Sequence, residues 1–219
     1  MVQNPGARHG PPGTGGPDLP CDPGAVDPLA EALIAALDTQ ARTGRQVRAG
    51  QLPLPSPCPG WSVREVMNHC IGVTLKFADF AAGRTDHPRA PAGDLVGPDH
   101  GLALRSAADQ ASAAWAAADM TRHCHLPFGT FPAGLAAGIN LFDALAHTWD
   151  IATATGVTLR CDDDLWTAGL DAARLVIGPS RDARHYAAEI PVGAGASPRQ
   201  RFLAFLGRQV PASQGQGSG

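Results

Sequence analysis

Apolar residues recur at three- and four-residue intervals over most of the chain, which is the period of an α-helix with one buried face. The pattern predicts six helices, over residues 27–43, 62–82, 98–118, 132–155, 163–177 and 198–206. A short extended piece is predicted over 123–131, and the proline-broken segment 52–60 is predicted to be a loop. The fold class is therefore all-α: a four-helix bundle followed by additional short C-terminal helices.

Residues that start and stop helices support these boundaries. Asp27 caps the first helix and Pro28 suits its first position. Ser62 followed by Glu65 is a capping box for the second helix. Trp61 directly precedes that box, where it can pack against the helix as a hydrophobic staple.

Composition divides the chain into a disordered N-terminal tail (1–24), a helical domain (25–208) and a disordered C-terminal tail (209–219), because both ends are rich in glycine, proline or small polar residues. The net charge of −3 offers no basic footprint for nucleic acid. No apolar run is long enough to span a bilayer, and no secretory signal is recognisable. Five cysteines without a C-x-x-C pair predict a reduced, cytoplasmic protein rather than a disulfide framework.

The fourth predicted helix carries a line of polar residues on an otherwise apolar surface. It contains no Lys, Arg or Glu, yet it includes Asn140, Asp143, His147 and Asp150. At 100° per residue these four positions fall within an arc of roughly 80°. Buried acids and imidazoles need partners, and a metal ion is one such partner.

Asp143 and His147 are four residues apart, so one helix face presents both to a single metal ion. His69 lies at the edge of the apolar stripe on the second helix and is a candidate third ligand. For the pair alone, an Asp–His hydrogen bond without metal is the commoner arrangement. For His69 alone, a hydrogen-bonded boundary residue is the commoner role.

A second histidine-rich stretch, His123-Cys124-His125, also has ligand-type side chains. Alternation along an extended strand sends neighbouring side chains to opposite faces. We therefore expect that these three residues do not share one metal ion.

Two motifs resemble a known family. The stretch Cys58-Pro-Gly-Trp-Ser-Val-Arg-Glu-Val-Met-Asn-His69 resembles the start of the second helix of the mycothiol-dependent maleylpyruvate isomerase N-terminal family, and Asp143-Ala-Leu-Ala-His147-Thr-Trp-Asp-Ile-Ala-Thr-Ala-Thr-Gly156 resembles its second motif. The stretch Leu126–Pro132 and the ending Phe202–Arg208 are similar to an actinobacterial metal-binding branch of that family.

The resemblance implies a DinB-like bundle with His69, Asp143 and His147 as metal ligands. The isomerase itself has glutamate where this chain has Asp143, and it carries a C-terminal domain for which this chain is too short, so we expect a substrate other than maleylpyruvate. Asn140 and Asp150 are predicted to lie behind the ligands and to fix an imidazole tautomer.

Two imidazoles and a carboxylate suit Zn²⁺ first, and also Fe²⁺, Ni²⁺ or Mn²⁺. Three protein ligands leave coordination positions open, as in catalytic sites. The predicted function is a metal-dependent enzyme that uses mycothiol or a similar thiol, as an S-transferase or a thiol-assisted isomerase. Two alternatives stay open: a thiol-independent cyclase, isomerase or hydrolase of a secondary-metabolite pathway, and a non-catalytic metal-binding protein. The expected partner is a small molecule rather than nucleic acid or membrane, and a homodimer stays open.

Overall fold

The computed structural model describes residues 26–84, 93–127, 129–178, 181–182 and 186–209. The predicted tail 1–24 lies outside these residues, as does 210–219 of the predicted C-terminal tail. All six predicted helices are found, each within two residues of its predicted ends. The helices are α1 (Pro28–Gly44), α2 (Val63–Ala81), α3 (His100–Ala116), α4 (Ala133–Thr155), α5 (Asp163–Ile177) and α6 (Pro198–Phe205), with a 3-10 turn at Ala49–Gln51.

The predicted caps form as expected. The Asp27 side chain accepts a hydrogen bond from the Leu29 N–H, and Ser62 and Glu65 make the reciprocal bonds of a capping box. Gly156 ends α4 in the left-handed conformation, with φ of 70°. Because α2 and α4 carry the candidate ligands, these caps set where each ligand lies along its helix.

The first four helices form the predicted bundle. Both α1 and α2 pack against α3 and α4, which places α1 and α2 at opposite corners. α5 covers α4 on its outer side, and α6 packs against α5. This confirms the all-α, DinB-like four-helix bundle with short C-terminal additions.

The predicted extended piece is a two-stranded antiparallel hairpin, β1 (His123–Leu126) and β2 (Gly129–Pro132). Along β1 the side chains alternate, so that His123 and His125 are exposed while Cys124 is buried. Within the described part of the chain neither histidine joins a cluster of metal-type ligands. Strand geometry thus separates the three residues, as predicted.

α4 is buried on nearly every side, because α1, α2 and α5 all pack against it. Its polar line therefore lies inside the protein: Asn140 and Asp150 are buried, while Asp143 and His147 are only partly covered. None of the described helices is both long and apolar enough to cross a membrane.

The central position of α4 generates a stability prediction. Leu145 is fully buried on α4, whereas Leu102 on α3 is 65% exposed. We expect Leu145→Ala to lower the free energy of unfolding by about 2–5 kcal/mol, through lost burial and the cavity left behind. The matched change Leu102→Ala should cost less than about 0.5 kcal/mol, as surface substitutions usually do. Urea denaturation measures both, and equal losses would contradict the central role of α4.

Candidate metal centre

Three predicted ligands meet where α2 packs against α4. His69 comes from α2, and Asp143 and His147 come from successive turns of α4. The Oδ1 atom of Asp143 lies 3.3 Å from Nε2 of His69 and 3.5 Å from Nε2 of His147. One donor atom from each residue therefore converges on a small volume, with all three atoms within 4.8 Å of one another.

These separations can be compared with those expected around a metal. Zinc binds nitrogen and oxygen at about 2.1 Å, so two ligand atoms of a tetrahedral site lie about 3.4 Å apart. Ordinary hydrogen bonds between such atoms are shorter, at about 2.7–3.2 Å. The observed 3.3 and 3.5 Å match the spacing of ligands around a metal better than that of directly bonded partners. The donor set and its spacing thus fit a divalent cation.

Asp150 holds the opposite side of the His147 ring. Its carboxylate is fully buried, and its Oδ2 atom lies 2.9 Å from Nδ1 of His147. The Arg208 guanidinium donates two hydrogen bonds to the same carboxylate, from Nε to Oδ1 at 2.9 Å and from Nη2 to Oδ2 at 2.7 Å. Because Nδ1 faces Asp150, Nε2 is the atom that faces Asp143 and His69.

Cys58, in the loop before α2, completes a second cluster with His147 and Asp150. Its Sγ atom donates to Oδ2 of Asp150 at 3.1 Å and lies 3.6 Å from Nδ1 of His147. The Arg208 guanidinium already supplies the positive charge beside Asp150. Among the described residues no arginine or lysine forms an ion pair with Asp143, so the cluster of His69, Asp143 and His147 is the better cation site.

The charges of the site shift its pKa values strongly. Burial alone would raise the pKa of Asp143, but His69 and His147 outweigh it and hold that pKa far below its usual range. Burial would also raise the pKa of Asp150, but hydrogen bonds from His147 and Arg208 lower it well below the usual range. Burial opposes the charge on His147, but Asp143 above all raises its pKa well above the usual value. Both acids are therefore carboxylates at neutral pH.

The three converging donors open into a cavity of about 650 Å³. Cys58 and Arg208 reach it, and aromatic rings of Trp61, Phe142 and Tyr186 form much of its wall. This volume lies within the range of about 300–1,000 Å³ typical of small-molecule sites. The candidate ligands are therefore accessible to a small molecule.

Trp61 lies over the two imidazoles rather than only against its own helix. Its ring centroid is 6.2 Å from that of His147 in a stacked arrangement, and 5.1 Å from that of His69. The residue is 37% exposed, so it shields the imidazoles from one side while leaving the cavity open. This contact goes beyond the role of a hydrophobic staple.

Asn140 does not make the contact predicted for it. It is buried on α4, but neither atom of its amide has a hydrogen-bond partner among the described residues. Seven residues separate it from His147, which is about 10 Å along the helix axis and beyond hydrogen-bond reach. The polar arc correctly indicates the direction of the Asn140 side chain around the helix axis. It does not show that Asn140 lies at a different level along the axis from His147. In this arrangement Asn140 makes no hydrogen bond to either candidate imidazole, and the supporting role predicted for it stays a prediction.

Cys58, Arg208 and Tyr186 were not recognised from the sequence as parts of the site. Cys58 lies within the motif that opens α2, and Arg208 lies at the end of the C-terminal motif, so both stretches were noticed without a role for these residues. Neither Cys58 nor Arg208 has a spacing in the sequence that relates it to His147, because both residues reach the site through loops. Tyr186 has no recognisable signal at all.

Comparisons with known proteins identify the family of the chain. The model of the family described as mycothiol maleylpyruvate isomerase N-terminal domain matches residues 33–152. That range includes His69, Asp143, His147 and Asp150, and it ends before Arg208.

Two curated relatives are the uncharacterized proteins MT0763 and Rv0738 from two strains of Mycobacterium tuberculosis. Each is 34% identical over 188 residues, which cover 84% of this chain and 100% of the relative. No solved structure matches the chain significantly. From the family model and these full-length relatives, the chain belongs to the mycothiol maleylpyruvate isomerase N-terminal domain family.

Proposed function

We propose that this protein is a metal-dependent enzyme that activates a low-molecular-weight thiol similar to mycothiol. The thiol would be transferred through its sulfur to a small electrophilic substrate, or it would assist the isomerisation of such a substrate. The observation that carries the proposal is the convergence of His69, Asp143 and His147 at one end of a 650 Å³ cavity. The family description, which names mycothiol and an isomerase, supports the choice of a thiol.

His69, Asp143 and His147 are the residues that would hold the metal, with Zn²⁺ as the best match and Fe²⁺, Ni²⁺ or Mn²⁺ compatible. Bound there, a divalent cation supplies a Lewis acid that lowers the pKa of a coordinated thiol or water. The single carboxylate of Asp143 neutralises half of a 2+ charge, so the site keeps an attraction for one further anion. A thiolate is a soft ligand that suits zinc.

The surrounding residues prepare the site for this role. Asp150 accepts the hydrogen bond of Nδ1 of His147 and so turns Nε2 toward the side of Asp143 and His69, where it could bind a metal ion. Trp61 limits the access of water to the imidazoles. Phe142 and Tyr186 offer apolar surface to the body of a substrate. The proposed partners are small molecules, and a homodimer stays a proposal.

A reducing, cytoplasmic setting is part of the proposal. Cys58, Cys70, Cys124 and Cys161 are all free thiols within the described chain. Burial raises the pKa of Cys161 to about 12, with Asp162 adding to the effect, and it also raises the pKa of Cys124. Burial also raises the pKa of Cys70 far above its usual value. These three thiols are therefore poor nucleophiles, whereas Cys58 lines the cavity.

The first test is metal content. We expect the purified protein to bind about one divalent metal ion per chain, because the two clusters of candidate ligands share His147 and one of them already has its carboxylate paired with Arg208. His147→Ala should lose most of that metal, while His125→Ala, which removes an exposed histidine of the hairpin, should retain it. Elemental analysis after dialysis measures all three proteins. Equal metal in wild type and His147→Ala would remove His147 from the site.

The second test concerns protons. Because Asp143 above all raises the pKa of His147 well above its usual value, we expect metal-free protein to carry a proton on that ring at neutral pH. Metal binding needs the neutral ring, so zinc should displace about one proton per site at pH 7, and apparent affinity should rise with pH until that pKa is passed. Calorimetric titration in buffers of different ionisation enthalpy measures the release. A binding heat that does not depend on the buffer would contradict the raised pKa.

The third test concerns the thiol. Protein loaded with Co²⁺ should develop a sulfur-to-cobalt charge-transfer band when mycothiol or a related thiol is added, because an open coordination position remains. His69→Ala should weaken the band and any transfer activity together, while His125→Ala should change neither. If mycothiol, bacillithiol, glutathione and cysteine all leave the spectrum unchanged, thiol activation is wrong. Thiol-independent chemistry or non-catalytic metal binding would then be the better hypothesis.

A further inference from the structure

The metal-facing histidine is supported by a residue that lies far from it in the chain. Arg208 follows α6 and reaches back to Asp150, which is 58 residues earlier. Both of its hydrogen bonds go to the carboxylate that also binds His147. A two-point arginine–carboxylate pair fixes the plane and position of the carboxylate, which a single hydrogen bond does not. Arg208 therefore fixes the position of the Asp150 oxygen that contacts Nδ1 of His147.

Asp150 needs this partner. Its side chain has no exposed surface, while the Arg208 side chain is 20% exposed. A fully buried carboxylate that loses its cation pays a large desolvation cost, and it relieves that cost by moving or by finding another donor. In wild type the two remaining donors are Nδ1 of His147 and the Cys58 thiol. Without Arg208, Asp150 would no longer be constrained to its present position beside His147.

The backbone places Arg208 by means of a glycine. Gly207 has φ of 76°, and a Cβ there would come within 2.5 Å of the Ala187 Cβ. The Arg208 N–H donates to the Leu203 carbonyl at 2.9 Å, which closes the turn after α6. Only glycine suits this conformation and close approach. The turn thus delivers the guanidinium to the cavity wall from the C-terminal segment.

We propose that Arg208 is a positioning residue of the metal centre, acting through Asp150 to hold His147 with Nδ1 protonated and Nε2 facing the metal position. The proposal rests on the proposed function for its metal. It assigns a role in the site to the C-terminal segment, which lies beyond the residues matched by the family model. Hydrogen-bond partners behind a metal ligand typically contribute a factor of about 10–100 to metal affinity.

The principal variant is Arg208→Gln, measured by zinc competition against a chromophoric chelator. We expect about tenfold weaker zinc binding. The matched control is Arg201→Gln, which removes the same charge from an arginine on α6 whose guanidinium bonds only the Ala194 carbonyl among the contacts described for it. It should bind zinc as wild type does. Equal affinity in wild type and Arg208→Gln would overturn the proposal.

A double-mutant cycle separates action through Asp150 from a general effect on the fold. Asp150→Asn should weaken zinc binding, and adding Arg208→Gln to it should cause little further loss, because both act through one hydrogen bond to His147. Fully additive losses would mean that Arg208 acts by another route, and the proposal would fail.

Arg208→Lys retains the charge without the two-point geometry, and we expect a loss of zinc affinity of a few-fold. If Arg208→Gln does not fold, the test rests on Arg208→Lys. In that case a zinc affinity equal to that of wild type would contradict the proposal.

A measurement without metal distinguishes this proposal from the proposed function. In ¹⁵N-histidine-labelled, metal-free protein, the proton on Nδ1 of His147 should give a slowly exchanging, low-field signal, because Asp150 accepts it in either protonation state of the ring. The signal should persist in Arg201→Gln and be lost or weakened in both Arg208 variants. If wild type binds no zinc, the proposed function fails while this signal still decides the role of Arg208. An unchanged signal in the Arg208 variants would overturn the proposal.

Discussion

A carboxylate without exposed surface needs charge and hydrogen bonds from its neighbours, and Asp150 is such a group in the middle of an apolar helix. Its partners come from three separate parts of the chain: His147 from α4 itself, Cys58 from the loop before α2, and Arg208 from the turn after α6. Satisfying Asp150 therefore draws these segments together. The same contacts orient the ring of His147, and so the candidate metal centre depends on them.

The two clusters that share His147 differ in the source of their positive charge. On the Nδ1 side the guanidinium of Arg208 forms an ion pair with Asp150, and on the Nε2 side no described arginine or lysine forms an ion pair with Asp143. An imidazole between two carboxylates tends to take up a proton, which is the reason for the raised pKa of His147. A divalent cation held by His69, Asp143 and His147 would replace that proton.

The helices and the ligand directions were predictable because they depend on local periodicity. Caps at Asp27 and Ser62 and the glycine stop at Gly156 are encoded within a few residues, and the structure places the helix ends accordingly. The four-residue spacing of Asp143 and His147 puts both on one face of α4 in any α-helix. His69 was a candidate from its place on the second helix, but the family resemblance was needed to join it to that pair, because no local rule states which helix packs opposite that face.

Two predictions about the polar line on α4 show where sequence reasoning stops. Asp150 and Asn140 share the same arc, yet Asp150 bonds His147 while the Asn140 amide has no partner among the described residues. Helical periodicity specifies the direction of a side chain around the axis. It does not specify which hydrogen-bond partners other segments of the chain place at the same level of the bundle. Those partners decide whether a buried polar group is satisfied.

By itself, then, the sequence determined the six helices, their caps and the shared face of Asp143 and His147, since each of these follows from contacts within about one or two helical turns. Only the tertiary structure decided that Cys58, Trp61 and Arg208 lie at the same site. Arg208 is far from Cys58 and Trp61 in the chain, and it meets them because loops, and the turn that Gly207 permits, return the chain to the cavity beside His147. Such loops have no periodic pattern in the sequence. Their paths depend on the buried charges that must be paired and on the surfaces that the packed helices leave open.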